Sequence, residues 1–213
     1  LVQADELNDI QEKLDKLSNF IKTNCDLDKI EMIATTIADI RKTNEISRPP
    51  AQKIGIAKVH AFTFTYSHLL NSWTNQGAEI TTFSPLNDEP PPTYVDFIWL
   101  PGGYPELHLK IISSAEKFKK GIYNFSKLKP VHGECGGYMV MGSNIIGSDK
   151  KNYRMAGIFN LSTSFEKRKL NLGYRVATIQ DPFFGFKKRD ILLGHEFHYT
   201  SILEKKDPSI VTV

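Results

Sequence analysis

The sequence predicts an α/β fold: a doubly wound, mostly parallel sheet with an antiparallel C-terminal extension and an N-terminal helical appendage. Three observations carry this. From Lys53 to Met141, short and almost continuously apolar runs alternate with helical stretches, as strands of a parallel sheet covered on both faces do. The C-terminal third reads as strand after strand with no helix between them. Between Asp5 and Ile40, apolar residues recur at steps of three and four.

Each element follows in order. Leu7, Ile10, Leu14, Leu17, Phe20 and Ile21, then Leu27, Ile30, Ile33, Ile37 and Ile40, mark the apolar faces of two amphipathic helices broken near TNCDLD. Cys25 falls in the break and reads as structural. The stretch KTNEISRPPAQK, from Lys42 to Lys53, has no periodicity, and Pro49 and Pro50 hold it extended, so it reads as a linker. The appendage and linker are thus expected over 1–48 and the main domain over 53–205. Within that domain come KIGIAKV, a helix around Tyr66 to Asn75, EITTFSP, a loop at Pro90 to Pro92, DFIWLPGG, a helix from about Ser113 to Phe125, and PVHGEC running into a further helix. YRMAGIFNLSTSF, LGYRVATIQ and ILLGHEFHYTSIL supply the antiparallel extension.

Composition narrows the class of protein. A chain of 213 residues and 24.2 kDa accommodates one main domain and an appendage. With 40% hydrophobic and 24% charged residues, neither disorder nor a fibrous class is favoured. The net charge of +3 comes from basic residues scattered among acids, which points away from a nucleic-acid partner. No run approaches the roughly 20 apolar residues of a membrane span. The opening LVQADELNDI is acidic and lacks the pattern of a signal peptide, so a cytoplasmic location without membrane association is expected. Leu1 in place of a methionine suggests a piece of something longer. The two cysteines make no disulfide framework and are too few for a zinc site, so no metal is expected.

The chemistry concentrates at Gly133-Glu134-Cys135-Gly136-Gly137. This is the thiol counterpart of the G-x-S-x-G elbow, in which glycines two residues either side let a nucleophile occupy a sharp strand-to-helix turn. Such a turn lifts the sulfur off the sheet and places it at a helix N-terminus, which is expected to favour the thiolate. The pentapeptide alone is equally compatible with a small buried thiol in a glycine turn. A nucleophile also needs oxyanion donors and a base. The Gly136 N–H is one donor. LPGGYPE, at the end of another strand, offers a second from Gly102 or Gly103, although a PGG by itself is usually only a turn. Among the six histidines, His60, His68, His108 and His132 are poorly placed. GHEFHYT offers His195 and His198, which lie three apart and therefore point to opposite faces of a strand, so only one serves. Both also read as ordinary polar strand residues.

Taken in order, AFTFTY, TFSPLNDEP, LPGGYPELH, GECGGYMVMG, LNLGYR and GHEFHYT resemble the class I glutamine amidotransferase domain, flavodoxin-like in fold, of cobyrinic acid a,c-diamide synthases. These enzymes amidate two side chains of the corrin ring in cobalamin synthesis. The resemblance spans Ile54 to about Ile202. LVQADEL and the two helices resemble the tail of the family's ATP-dependent synthetase domain. By resemblance, Cys135 is the nucleophile, His198 the base, and the N–H groups of Gly103 and Gly136 hold the oxyanion. The glutamate that many class I enzymes carry two residues after this histidine is here Thr200. A Cys–His dyad is therefore implied, with Glu196 as a possible orienting group. Glutamine is the implied substrate, and ammonia the useful product.

The resemblance also marks what is missing. A phosphate loop, G-x-x-x-x-G-K-[ST], belongs to the synthetase domain. Here only Gly142 to Gly147 has the glycine spacing, with Ser148 and Asp149 in the wrong positions. No cofactor is expected in this chain, and ATP and Mg are expected in the absent synthetase domain or subunit. AKVHAF lacks the acidic residue the family tends to carry near Val59 or His60, which puts in doubt contacts made there. Two alternatives stay open: a silent scaffold on this fold, and a cysteine hydrolase of other specificity.

Overall fold

The computed structural model describes residues 9–34, 47–183 and 185–213. The expected helical positions Leu7, Ile37 and Ile40, and the linker residues 42–46, lie outside them. The chain divides into two compact units, Leu1–Ile46 and Ser47–Val213.

The first unit contains α1 (Ile10–Asn24) and α2 (Leu27–Ile33). The side chains of Thr23 and Asn24 donate back to the carbonyls of Asn19 and Phe20 at the end of α1. Cys25 then turns to extended backbone, and Asp26 caps α2 by accepting from the Lys29 N–H at 3.0 Å. The break thus falls at TNCD, and Cys25 is its C-cap. None of the residues of either helix is buried, and Leu14, Leu17, Phe20, Ile30 and Ile33 stand exposed.

The second unit is built on a parallel sheet in the order β2-β1-β3-β4. Its strands are β1 (Lys53–Ala57), β2 (Glu79–Phe83), β3 (Phe97–Leu100) and β4 (Val131–Gly133). Period-two alternation sorts their side chains onto two faces. Ile54, Ile56, Phe97 and Trp99 pack with Trp73, Leu69 and Leu70 of α3 (Ser67–Asn75). Ala57, Ile98 and Leu100 face the other way, onto a larger core. That core draws Leu109 and Ile112 from α4 (Leu109–Ser114), Phe118 and Ile122 from α5 (Glu116–Ser126), and Met139 and Val140 from α6 (Gly136–Met141). At roughly 1.5–3 kcal/mol for each fully buried large apolar side chain, this two-faced burial is the main term holding the domain together.

The helix expected over Ser113 to Phe125 is instead two, broken at buried Ala115. The second starts where the Phe118 N–H finds the Asp88 carboxylate at 3.0 Å, a tertiary cap that periodicity does not reveal.

The C-terminal part is richer than a simple extension. β5 (Asn144–Ile146), β6 (Asn152–Arg154), β7 (Leu161–Ser164) and β10 (Ser201–Lys205) form one sheet in the order β10-β7-β5-β6, with β5 and β7 parallel. β8 (Asn171–Ile179), β9 (Ile191–His198) and β11 (Val211–Thr212) form a separate antiparallel sheet in the order β11-β8-β9. YRMAGIFNLSTSF carries the end of β6 and all of β7, joined through a turn. ILLGHEFHYTSIL splits at Tyr199 and buried Thr200 into β9 and β10, which join different sheets. The pairing of β11 with β8 carries this unit past residue 205.

Candidate active site

Cys135 follows β4 and caps α6 with φ 45° and ψ −109°. Side chains adopt this backbone at a cost of about 1–3 kcal/mol, so it persists only where its surroundings enforce it. Glu134 N–H donates to the Leu100 carbonyl at 3.1 Å, Gly137 N–H to that of Glu134 at 2.8 Å, and Met139 N–H to that of Cys135 at 3.1 Å. The flanking glycines are steric necessities. A Cβ on Gly133 would meet Met141 Sδ and, at 2.9 Å, Tyr138 N; one on Gly137 would collide with the Leu100 carbonyl.

The loop after β3 closes over this elbow. The Phe64 N–H donates to the Gly102 carbonyl at 3.0 Å, and a Cβ on Gly103 would strike the Ala61 carbonyl. The backbone N–H groups of Gly136 and Gly103, the two donors expected for an oxyanion, lie near enough to the Cys135 sulfur to favour its charged form. They do not prevail. Burial pushes the Cys135 thiol above its ordinary range, against the lowering by these N–H groups and with the nearby carboxylates of Glu106 and Glu134 adding to the rise. The thiolate expected from a helix N-terminus is thus not favoured here. α6 is only six residues long, and burial is the largest influence on the sulfur.

Glu134, beside the cysteine, accepts from the Tyr66 hydroxyl at 3.0 Å and lies 2.9 Å from His132 Nε2. Burial and then this carboxylate push the Tyr66 phenol up to about 12, so it stays a donor. Tyr66 in turn stacks on Trp99 of the central strand, with centroids 5.9 Å apart.

The imidazole comes from the antiparallel sheet. Glu196 and His198 lie on the inner face of β9 and His195 on the outer one, exposed and edge-on to Tyr174 of β8 at 5.6 Å. His198 Nε2 lies 2.8 Å from Glu196 Oε1, while Nδ1 lies 3.1 Å from Thr200 Oγ1 and 3.2 Å from the Thr200 carbonyl oxygen. His198 hydrogen bonding holds the Glu196 carboxyl below the usual carboxylate range, helped by Arg175, which is paired with its other oxygen. Cys135 and His198 line one open cavity of about 790 Å³, together with Tyr66, Arg175 and Glu196; His195 also borders it, although its ring is exposed and packs on Tyr174. They are not hydrogen-bonded to each other; the sulfur's contact is the Phe197 carbonyl oxygen at 3.9 Å.

Every predicted site residue is therefore at one place: Cys135, Gly136 and Gly103 at the elbow, His198 and Glu196 across the cavity. Sequence reading missed Tyr66, Arg175 and the contact of Thr200 with the ring. The LNLGYR motif contained Arg175, and the register of β8 against β9 was the lacking information. Of the poorly placed histidines, His60 and His68 carry no hydrogen bond to the site, and His132 touches it only through Glu134. Among the described residues no cluster of His, Cys, Asp or Glu could hold a metal ion, and no helix is long and apolar enough to cross a membrane.

Residues 53–213 match the model of the CobB/CobQ-like glutamine amidotransferase domain. The chain is 41% identical over its full length to 49% of hydrogenobyrinate a,c-diamide synthase of Rhodobacter capsulatus. It is 43% identical over 95% of its length to 46% of the Mesorhizobium japonicum enzyme of that name, and 44% identical over 96% to 47% of the Agrobacterium fabrum one. The chain thus spans about half the length of the curated relatives it matches. An elbow thiol under two backbone donors, on a sheet ordered 2-1-3-4, and a sequence match across three quarters of the residues lead to one assignment: the chain belongs to the family of CobB/CobQ-like glutamine amidotransferase domains.

Proposed function

We propose that this chain hydrolyses glutamine through a Cys135 thioester and passes the ammonia to a synthetase. Together they would amidate the a and c carboxylates of a hydrogenobyrinate-type corrin ring in cobalamin biosynthesis. The first step is the chemistry of the family; the second rests on the names of relatives twice as long.

The observation that carries the residue roles is the strained Cys135 backbone beneath two N–H groups, facing His198 across a cavity with room for an amino acid. The sulfur attacks the side-chain amide carbon, and the oxyanion forms beside the sulfur, within reach of the Gly136 and Gly103 N–H groups. Glu196 accepts from His198 Nε2–H, which leaves the lone pair on Nδ1. Nδ1 is then the atom that takes the thiol proton, hands it to the departing ammonia, and afterwards activates water against the thioester. In the resting arrangement Nδ1 lies 3.1 Å from Thr200 Oγ1, whose hydroxyl can donate to that lone pair, and 3.2 Å from the Thr200 carbonyl oxygen, and the thiol is protonated. Reaction therefore requires the ring to leave Thr200 for the sulfur.

The stretch whose glycine spacing approaches a phosphate loop is built as a strand and turn. The Gly142–Gly147 spacing is occupied by strand β5, paired on both sides, and Asp149 accepts from the Tyr153 hydroxyl at 2.7 Å. ATP and Mg belong, on this reading, to a synthetase half in the cytoplasm, and no step here runs through them. Two surfaces suit such a partner: the exposed apolar faces of α1 and α2, and the outer face of the β8–β9 sheet. On the latter, Leu172, Tyr174, Val176, Ile191 and Leu193 are all exposed, Tyr174 by 89% and Leu193 by 84%. Because His198 lies on the reverse of that sheet, docking would act on the ring through the strand that carries it.

The test is release of ammonia from glutamine by this chain, alone and with a synthetase of the family. Turnover that rises on adding the synthetase supports the proposal. No release in either case would remove it.

A further inference from the structure

The LNLGYR motif is left without a task by the reading above. Its Arg175 stands opposite Gly194 in the β8–β9 register, with Glu196 the diagonal neighbour on the same inner face. Diagonal neighbours are within reach of a long side chain. The Arg175 guanidinium pairs with one oxygen of Glu196 while His198 Nε2 takes the other at 2.8 Å. The arm is also fixed from its own strand, where Nη1 donates to the Tyr174 carbonyl at 3.1 Å.

Gly173 explains the path of the arm. It lies opposite Glu196, and a Cβ there would come within 2.6 Å of Arg175 Nη1. The absent side chain is the space through which the guanidinium folds back along β8 to reach the carboxylate. Without that anchor, an oxygen-bearing side chain that is a third exposed rotates freely. Nothing would then hold Glu196 against Nε2, or fix which ring nitrogen carries the proton.

We propose that Arg175 is a positioning residue, which through Glu196 fixes His198 as the Nε2–H tautomer and so keeps Nδ1 as the base. Gly173 is its clearance. This replaces, with a cross-strand pair, the orienting glutamate that Thr200 displaces. The inference rests on the glutaminase reading for its kinetic consequence, but not for its structural one.

The test combines kinetics with ¹⁵N NMR of the ring nitrogens of this chain, the His198 signal being assigned by its loss in His198→Gln. Wild type should show the Nε2–H tautomer when neutral. Glu196→Ala and Arg175→Ala should both mix the tautomers, with Arg175→Lys closer to wild type. In glutamine hydrolysis, Glu196→Ala should lower kcat roughly 10- to 100-fold, less than the roughly 10²- to 10⁴-fold of the base itself because Glu196 only orients it. Arg175→Ala should lower it less, and in the Glu196→Ala background should add under about twofold, because linked residues do not act independently. Arg175→Gln serves the same purpose should the alanine variant fail to fold. A multiplicative loss in the double variant, or a raised KM for glutamine with kcat intact, would assign Arg175 to the substrate carboxylate and overturn the proposal. An unchanged tautomer in Arg175→Ala would also overturn it. Should wild type release no ammonia at all, the glutaminase reading fails, while the NMR comparison still decides the relay.

Discussion

Cys135 and His198 face one cavity from regions of different construction. The sulfur sits between a three-residue strand and a six-residue helix, pinned so closely by Leu100, Gly103 and Pro105 that Gly136 and Gly137 have no room for a side chain, and by α6 itself that Gly133 has none. The imidazole rides on β9, which pairs only with β8, and whose outer face is bare. The elbow stores strain because a buried core enforces it. The ribbon holds its ring by a few hydrogen bonds, to the Glu196 carboxylate and to the hydroxyl and carbonyl of Thr200, and none of them reaches the sulfur. The difference teaches that the nucleophile is preorganised by the fold, whereas the base is set by a small polar network open to a partner's influence.

The contrast can be broken most completely at the elbow. Cys135→Ala should abolish glutamine hydrolysis, by more than about 10³-fold, with the far-UV spectrum retained. Gly137→Ala should cost about 3 kcal/mol or more of stability, read by denaturant midpoint, because the Leu100 carbonyl cannot yield. On the ribbon, losses should be chemical and not structural. His198→Ala should lower turnover by roughly 10²- to 10⁴-fold without a shift in midpoint, and His195→Ala, on the outer face, by no more than about twofold.

Two subtler measurements sharpen the comparison. Cys135→Gly should be more stable than Cys135→Ala by about 1 kcal/mol, reversing the usual order, since glycine alone suits φ 45° and ψ −109°. The thiol also gives a pH signature. Its proton is held more tightly in the folded chain than in the unfolded one, so this contribution to stability is full below the ordinary thiol range. It is lost as pH rises through the higher folded value. Alkylation of Cys135 should accordingly have its midpoint above that of a free cysteine, measured against a short unstructured cysteine peptide and located by peptide mass.

How much of this was legible in the sequence differs between the same two regions. The elbow was readable because its physics is local. Glycines at fixed offsets from a cysteine, after an apolar run, specify a turn whatever surrounds them. The parallel strands were readable for the same reason, from runs such as KIGIA and FIWL that only a doubly covered sheet buries. The sign of the thiol's shift was not, because it depends on Glu106 and on burial beneath a loop distant in sequence. Nor was the β5–β7 sheet, whose strands are three or four residues long and give no period to detect. The ribbon was readable in part: the faces of His195 and His198 follow from alternation alone. Arg175, however, reaches Glu196 only through a cross-strand register, which neither strand encodes by itself.

The central claim is that Cys135 is preorganised for attack on glutamine, and one measurement tests it most directly. The chain is incubated with a glutamine analogue bearing an electrophilic diazoketone in place of the side-chain amide, and the adduct is located by peptide mass spectrometry. The account predicts a single adduct at Cys135, prevented by excess glutamine and absent from Cys25. Equal modification of both cysteines, or modification that glutamine does not suppress, would contradict it.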